Sequence, residues 1–425
     1  MTVTTGSLSG GSVQEYIAAE LLLLAEKSVI FQQLGEKAKL PAGAGKVYQF
    51  NRYERLPLPK NPLTEGVEPA QNSLQLTTLQ ATADQWGAFI VLSDVAELTI
   101  QHPLMPICIE LLGIQAAETI DRNIINVLMA GTSVSYGGSV ATTRAGLTTI
   151  ATESFADAVA QKVVARMRTR GAHRYEGTNY VGVIDPAMEQ DVTTSANSAF
   201  VQAAAYANQR LLYNGEIGTW RGVRWMVSNF IQPISGLAAD GSYSSPAVPA
   251  GTFATGNYRI TTAYYDVNTG MLAKLSQNAN VAFTANDSFA ATAPADVNYL
   301  YKYFISGLGA LATDIMFQGV DSVAGSGFIS PGAAVSVLAP PVAGASLSGS
   351  DIPGTGVIVH VGWVFGRQAY CVVDLQNLQT FVSRPEATTD NPLLLRRTVG
   401  YKFMHKPVIQ NNQFMERIEV LSAFN

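Results

Sequence analysis

Charge is scarce in this chain. Charged residues fill 14% of its 425 positions, against roughly a quarter in ordinary soluble domains. A monomer so poor in charge has little with which to cover its surface. Two explanations fit: large interfaces between copies, whose cores are depleted in charge, or a secreted β-protein with a Thr/Ser/Asn surface. Basic clusters are missing as well. Lys and Arg total 27 against 32 Asp and Glu, giving a net charge of −5, and no basic run exceeds the pair Arg396-Arg397. Tight nucleic-acid binding rests on clustered cations that neutralise phosphates, so strong direct binding is not expected. A mildly acidic wall could still face DNA without adhering to it.

Cysteine and histidine are nearly absent. Cys108 and Cys371 provide neither a disulfide framework nor metal spacing and read as buried free thiols. The histidines, His102, His173, His360 and His405, include no HxH or HxxxH pair. His405 alternates with Tyr401 and Phe403 and reads as a satisfied sheet residue; His173, beside Arg174 and Glu176, reads as a surface-loop residue. No metal and no cofactor is expected. The amino terminus has no basic stretch leading into an apolar core. Leu21 to Leu24, flanked by Glu20 and Glu26-Lys27, is too short to span a bilayer. A soluble protein made inside the cell is expected, with no membrane partner.

Catalytic patterns fail one by one. Gly43-Ala-Gly-Lys46 lacks the glycine at 40, where Leu40 stands, and the hydroxyl at 47, where Val47 stands, so it is no phosphate loop. Gly325-Ser-Gly327 reads as a turn, and no GxSxG elbow exists. Glu65 and Glu68 could be imagined as an acid/base pair, but such work needs burial to raise one pKa, and a proline-rich tip offers none. No enzyme is expected.

What is present points to assembly. Residues 45–94 read as a long β-hairpin, with a first arm from Lys46 to Leu56 and a return arm from Leu74 to Leu92. Its tip, residues 57–69, holds four prolines. Arms of roughly ten residues would reach more than about 30 Å, and an isolated hairpin of that length is marginal in water. Pairing of Arg52, Arg55, Lys60, Glu65 and Glu68 with charges on a neighbouring subunit is the expected use of the element.

Elsewhere the periodicity is regular. Ser12 caps an expected helix that ends near Gly35. Ile107, Leu111, Ile114, Ala117, Ile120, Ile124 and Leu128 recur at helical spacing between Pro106 and Gly131 and predict one apolar stripe. Ser154 and Asp157 resemble a capping box for a helix stopped by Gly171. A buried strand follows at Tyr180–Ile184, then helices from Pro186 to Asp191 and around 199–208, and one strand over Trp220–Val227. From 241 to 350 charge thins and short alternating strands predict a β-sandwich-like insertion, with Pro340-Pro341 as its exit. Val357 to Phe365 reads as a half-buried strand. Val399-Tyr401-Phe403 and Phe414-Ile418-Val420 read as a closing antiparallel hairpin.

The ordered set resembles the tailed-phage major capsid proteins of the Hong Kong 97-type fold, in particular the phage N-four-type family. The residues carrying the resemblance are Val47 to Asn51, Pro62 to Pro69, Gln85-Trp-Gly87, Ser93-Asp94, Asn214 to Gly218 before Gly222-Val-Arg224, and Thr389 to Lys402. It covers nearly all of the chain except 241–350. It implies an α+β fold with an N-terminal arm (1–40), an extended loop (41–92) and a peripheral domain (93–152) whose spine helix spans 106–130. An axial domain (153–232), a β-rich insertion domain (233–352) and returning strands (353–425) complete it. It also implies hexamers and pentamers of an icosahedral shell around double-stranded DNA, built in the host cytoplasm, with portal and scaffold or decoration proteins as partners. Some members crosslink a loop lysine to a neighbour; Lys46 and Lys60 match in position only, and no crosslink is expected. The competing class is a secreted surface-layer or adhesin protein.

Overall fold

A computed structural model describes residues 29–39, 45–53, 56, 58, 62, 71–74, 76–99, 104–138, 141–175, 179–194, 201–202, 216–238, 242–244, 253–276, 279–285, 287–305, 314–316, 329, 334–337, 346–348, 352–382 and 395–424. The helix expected from Ser12, most of the hairpin tip and the exit at Pro340-Pro341 lie outside them. The fold is mixed α+β and rich in strands. The chain divides into two compact units, 1–127 with 368–411, and 128–367 with 412–425.

The first unit is built on a four-stranded sheet in the order Glu36–Lys39, Tyr370–Val382, Arg396–Ile409, Asp84–Ser93. The first pair is parallel and the others antiparallel. The helix Leu104–Met129, within this unit up to Val127, lies on one face. The Arg122 guanidinium sits 5.6 Å over the Trp86 ring, and Asn123 Nδ2 lies 3.2 Å from His405 Nε2. His405 is buried and stacked on Phe403, as a sheet histidine should be. Burial, with Lys406 alongside and only partly offset by Asp84, depresses its pKa to about 4.

The apolar stripe of this helix is rotated from the expected one. Its amino-terminal half buries Cys108, Ile109, Leu112 and Ala116, whereas Ile107, Leu111 and Ile114 stay exposed. The helix is apolar on two adjoining faces there, and spacing alone does not tell which one meets the sheet. Asp121 faces inward. Its carboxylate accepts the N–H groups of Ile30 at 2.8 Å and Phe31 at 3.2 Å, and so caps the short helix Phe31–Leu34. Desolvation raises its pKa to about 7 against the pull of those donors. The helix expected from Ser12 does not run unbroken to Gly35, because Val29 and Ile30 are not helical and the helix before Gly35 begins only at Phe31. The residues after it add a parallel edge strand that apolar spacing did not suggest.

In the second unit the strand Ile358–Phe365 is central. It pairs with Met415–Val420 on one side and with Tyr180–Ile184 and Ile234–Leu237 on the other. It is therefore buried nearly throughout rather than half-buried. Tyr180–Ile184 runs parallel to Val223–Val227. The single strand expected over Trp220–Val227 is two, because Arg221 and Gly222 both have positive φ (53° and 80°) and turn the chain back on Glu216–Trp220. The helices Asp157–Thr169 and Pro186–Thr194 close a core in which Phe155 meets Trp220 and Trp225 edge-on at 5.8 and 5.3 Å. Burying such a side chain contributes roughly 2–3 kcal/mol.

The start of the first of these helices differs from expectation. Its N-cap is Ala156, and Ser154 instead bridges to Leu421. Its end is as expected: Ala172 N–H bonds Met167 O and Gly171 N–H bonds Arg168 O, both at 3.0 Å. Residues 201–202, expected within a helix, form a strand on Gly218-Thr219; the rest of that expected helix lies outside the described residues.

The strands of 241–350 do not stand apart. Leu272–Ser276 runs parallel to Ile234–Leu237 and so joins Gly256–Asp266 and Tyr299–Ile305 to the large sheet. A three-stranded sheet, Ser242–Ser244, Phe289–Thr292 and Ala334–Val337, shares one aromatic core with them. Phe253 stacks on Phe283 with centroids at 4.8 Å and meets Tyr258 edge-on at 5.3 Å.

The carboxyl-terminal strands do not form a hairpin. Arg396–Ile409 pairs within the first unit and Met415–Val420 within the second. The second of these carries two fully buried carboxylates. Glu416 is held by Arg166 at 2.9 Å, Arg170 at 2.5 Å and the Ser135 hydroxyl at 2.6 Å. Glu419 meets Arg144 at 2.6 Å and Arg417 at 2.8 Å. Burial alone would raise the Glu419 carboxyl, but the two guanidiniums outweigh it and hold the carboxyl below its usual range. That contribution is present above the unfolded carboxyl pKa and is lost as pH falls through the folded one.

Candidate assembly surface

The hairpin pairs Val47–Tyr53 with Leu76–Thr82, seven residues a side. Over these described pairs each arm runs about 24 Å. The Ala83 N–H to Lys46 O bond at 2.9 Å closes its base. The return arm leaves the hairpin there, because residues 84–93 pair with Arg396–Ile409 instead. One hairpin face is partly covered by its own unit. Tyr48, Phe50 and Ala81 pack on Cys371 and Val373, and Arg52 donates from Nη1 to Gln410 O at 3.3 Å. The other face, with Val47 and Leu76, lies in solvent, as do Leu56 and Leu58 beyond the paired arms.

Of the charges expected at a subunit contact, Arg52 is exposed on the hairpin and touches its own chain. Arg55, Lys60, Glu65 and Glu68 lie outside the described residues.

Two surfaces were not singled out by sequence. One is the exposed helical stripe of Ile107, Leu111 and Ile114. The other is the sheet face turned away from the helix. There the register sets Phe89, Gly400 and Phe381 side by side in one row, with Gly87 and Lys402 in the next. Period-two alternation could have suggested that Phe89 and Val91 face opposite to Ala88 and Ile90, but not that this side would stay uncovered.

Taken together, most large apolar side chains left in solvent among the described residues belong to the first unit; the second contributes Ile150, Val267, Val297 and Phe424. Scattered exposed apolar residues need no explanation, but contiguous ones mark interaction sites. Among the described residues no group of three or more His, Cys, Asp or Glu could hold a metal ion, and no helix is long and apolar enough to cross a membrane.

The arrangement has solved counterparts. The capsid of Ralstonia phage GP4 superposes with a TM-score of 0.52 over 93% of this chain and 92% of that one, at 14% identity. The fold is that of a phage capsid. A second similar structure is the capsid of the cyanophage P-SCSP1u, at a TM-score of 0.48, 12% identity, and 93% and 89% coverage. At such identities the likeness to these capsids is one of fold. No protein-family model matches the sequence, and no curated protein does.

Proposed function

We infer that the chain is the major capsid protein of a tailed double-stranded DNA bacteriophage, and that its copies form the hexamers and pentamers of an icosahedral shell around the genome. The observation that carries this reading is the uncovered apolar surface of the first unit: the outer hairpin face, the sheet face beside it and the stripe at Ile107, Leu111 and Ile114. The fold shared with the Ralstonia phage GP4 capsid supports it by analogy.

The role is structural, and its mechanism is geometric. The hairpin of one subunit lies over the long helix and sheet of the next, and Arg52, Arg55, Lys60, Glu65 and Glu68 pair across that boundary. In this reading 1–40 is the arm, 41–92 the extended loop, 93–152 the peripheral domain, 153–232 the axial domain, 233–352 the insertion and 353–425 the return. Portal and scaffold or decoration proteins are the other partners. DNA is enclosed without sequence readout, in a virion assembled in the host cytoplasm.

Deleting 57–69 tests the reading. The variant should fold, with the far-ultraviolet spectrum of the full chain, and fail to form shells under negative-stain microscopy. Normal particles from it would remove the hairpin from the assembly mechanism.

A further inference from the structure

The outer sheet face holds a groove of about 400 Å³. Phe89, 72% exposed, and Phe381, 47% exposed, stand on either side of Gly400. Its floor is bare backbone for a steric reason. A Cβ at Gly400 would fall 2.7 Å from Phe89 Cβ and 2.8 Å from the Ala88 carbonyl oxygen. In the adjoining row a Cβ at Gly87 would fall 2.6 Å from the Tyr401 carbonyl oxygen. At the rim, Lys402 Nζ lies 4.7 Å from the Phe381 ring centroid.

Aromatic walls, a backbone floor and one ammonium define what fits: an aliphatic side chain with a carboxylate a residue or two away. An ammonium over a ring is only weakly held at an exposed site, so a carboxylate arriving there would be a stronger partner. Lys406, four residues along the same strand, is already met by Asp84 at 2.6 Å. The groove is open and shallow, which suits a segment presented on an arm.

We propose that this groove receives residues 63–68 of a second copy, Leu63-Thr-Glu-Gly-Val-Glu68. Leu63 or Val67 enters between Phe89 and Phe381, and Glu65 or Glu68 reaches the Lys402 ammonium. The charge match is specific, because reversing it on one side places like charges face to face. The assignment rests on the reading of the chain as a shell subunit, and it names the receptor for the hairpin tip.

The test is a charge swap in the full chain, read by sedimentation velocity and negative-stain microscopy. Lys402→Glu should abolish shells, and adding Glu65→Lys with Glu68→Lys should restore them. Phe89→Ser, at an exposed position, should abolish shells while leaving the circular dichroism spectrum and melting temperature unchanged. If Lys402→Glu and Phe89→Ser assemble like the unaltered chain, the groove is not a receptor, although the shell reading stands. If the swap fails to rescue Lys402→Glu, the tip is not the occupant. If the unaltered chain forms no shells, the shell reading fails and takes this assignment with it.

Discussion

Asp121 on the long helix, capping Ile30 and Phe31, and His405, set against Asn123 of the same helix, titrate in opposite senses. Asp121 has its pKa raised to about 7, chiefly by burial. A raised carboxyl contributes stability that is full below its unfolded value and is lost as pH climbs through the folded one. His405 is depressed to about 4, again chiefly by burial, so its contribution is present above the ordinary histidine value and is lost as pH falls toward 4. Between pH 4 and 6.5 the two slopes oppose each other. Asp121→Asn should leave unfolding free energy rising with pH over that range, and His405→Gln should leave it falling. Each slope should approach about 1.4 kcal/mol per pH unit, the value for one proton. Urea unfolding at pH 4.5, 5.5 and 6.5 reads both. Identical slopes in the two variants would refute the assignment of burial as the cause.

At the scale of elements, the sequence was most readable where one periodicity met one partner. Tyr180–Ile184, Pro186–Thr194 and the stop at Gly171 follow directly from apolar runs and caps. Reading failed where two faces competed or where pairing was remote. Ile107, Leu111 and Ile114 have helical spacing and are exposed, because the adjoining face carrying Cys108, Ile109 and Leu112 is the one that is buried. The two carboxyl-terminal strands look like a hairpin locally, yet they pair apart: Arg396–Ile409 with Tyr370–Val382 and Asp84–Ser93, and Met415–Val420 with Ile358–Phe365 and Val134–Tyr136. Trp220–Val227 looks like one strand because an Arg-Gly pair is a weaker turn signal than Asn-Gly. The groove was illegible for the same reason, since Phe89, Phe381 and Gly400 come together only through register. Backbone geometry at that Arg-Gly turn gives a further test. Gly222 has φ +80°, and the nearest atom to an added Cβ, Arg168 Nη2, is at an ordinary 3.7 Å. Gly222→Ala should therefore cost roughly 1–2 kcal/mol through backbone strain alone, measured as a lower urea midpoint with unchanged m-value.

For the whole molecule, scarcity of charge and placement of apolar surface tell one story. A chain with 14% charged residues leaves the first unit's outer hairpin face, sheet face and helical stripe in water, while the second unit buries most of its described aromatic residues in its cores. Burying the exposed set between copies relieves both problems at once. The seven-residue arms, half covered by their own unit, make the hairpin a preformed element rather than a free strap, which lowers the ordering cost of docking it. Electron microscopy of the purified full chain, with sedimentation velocity on the same sample, is the most direct test. Closed shells of uniform diameter are predicted. A stable, monodisperse monomer at every concentration and salt condition tried would contradict the account.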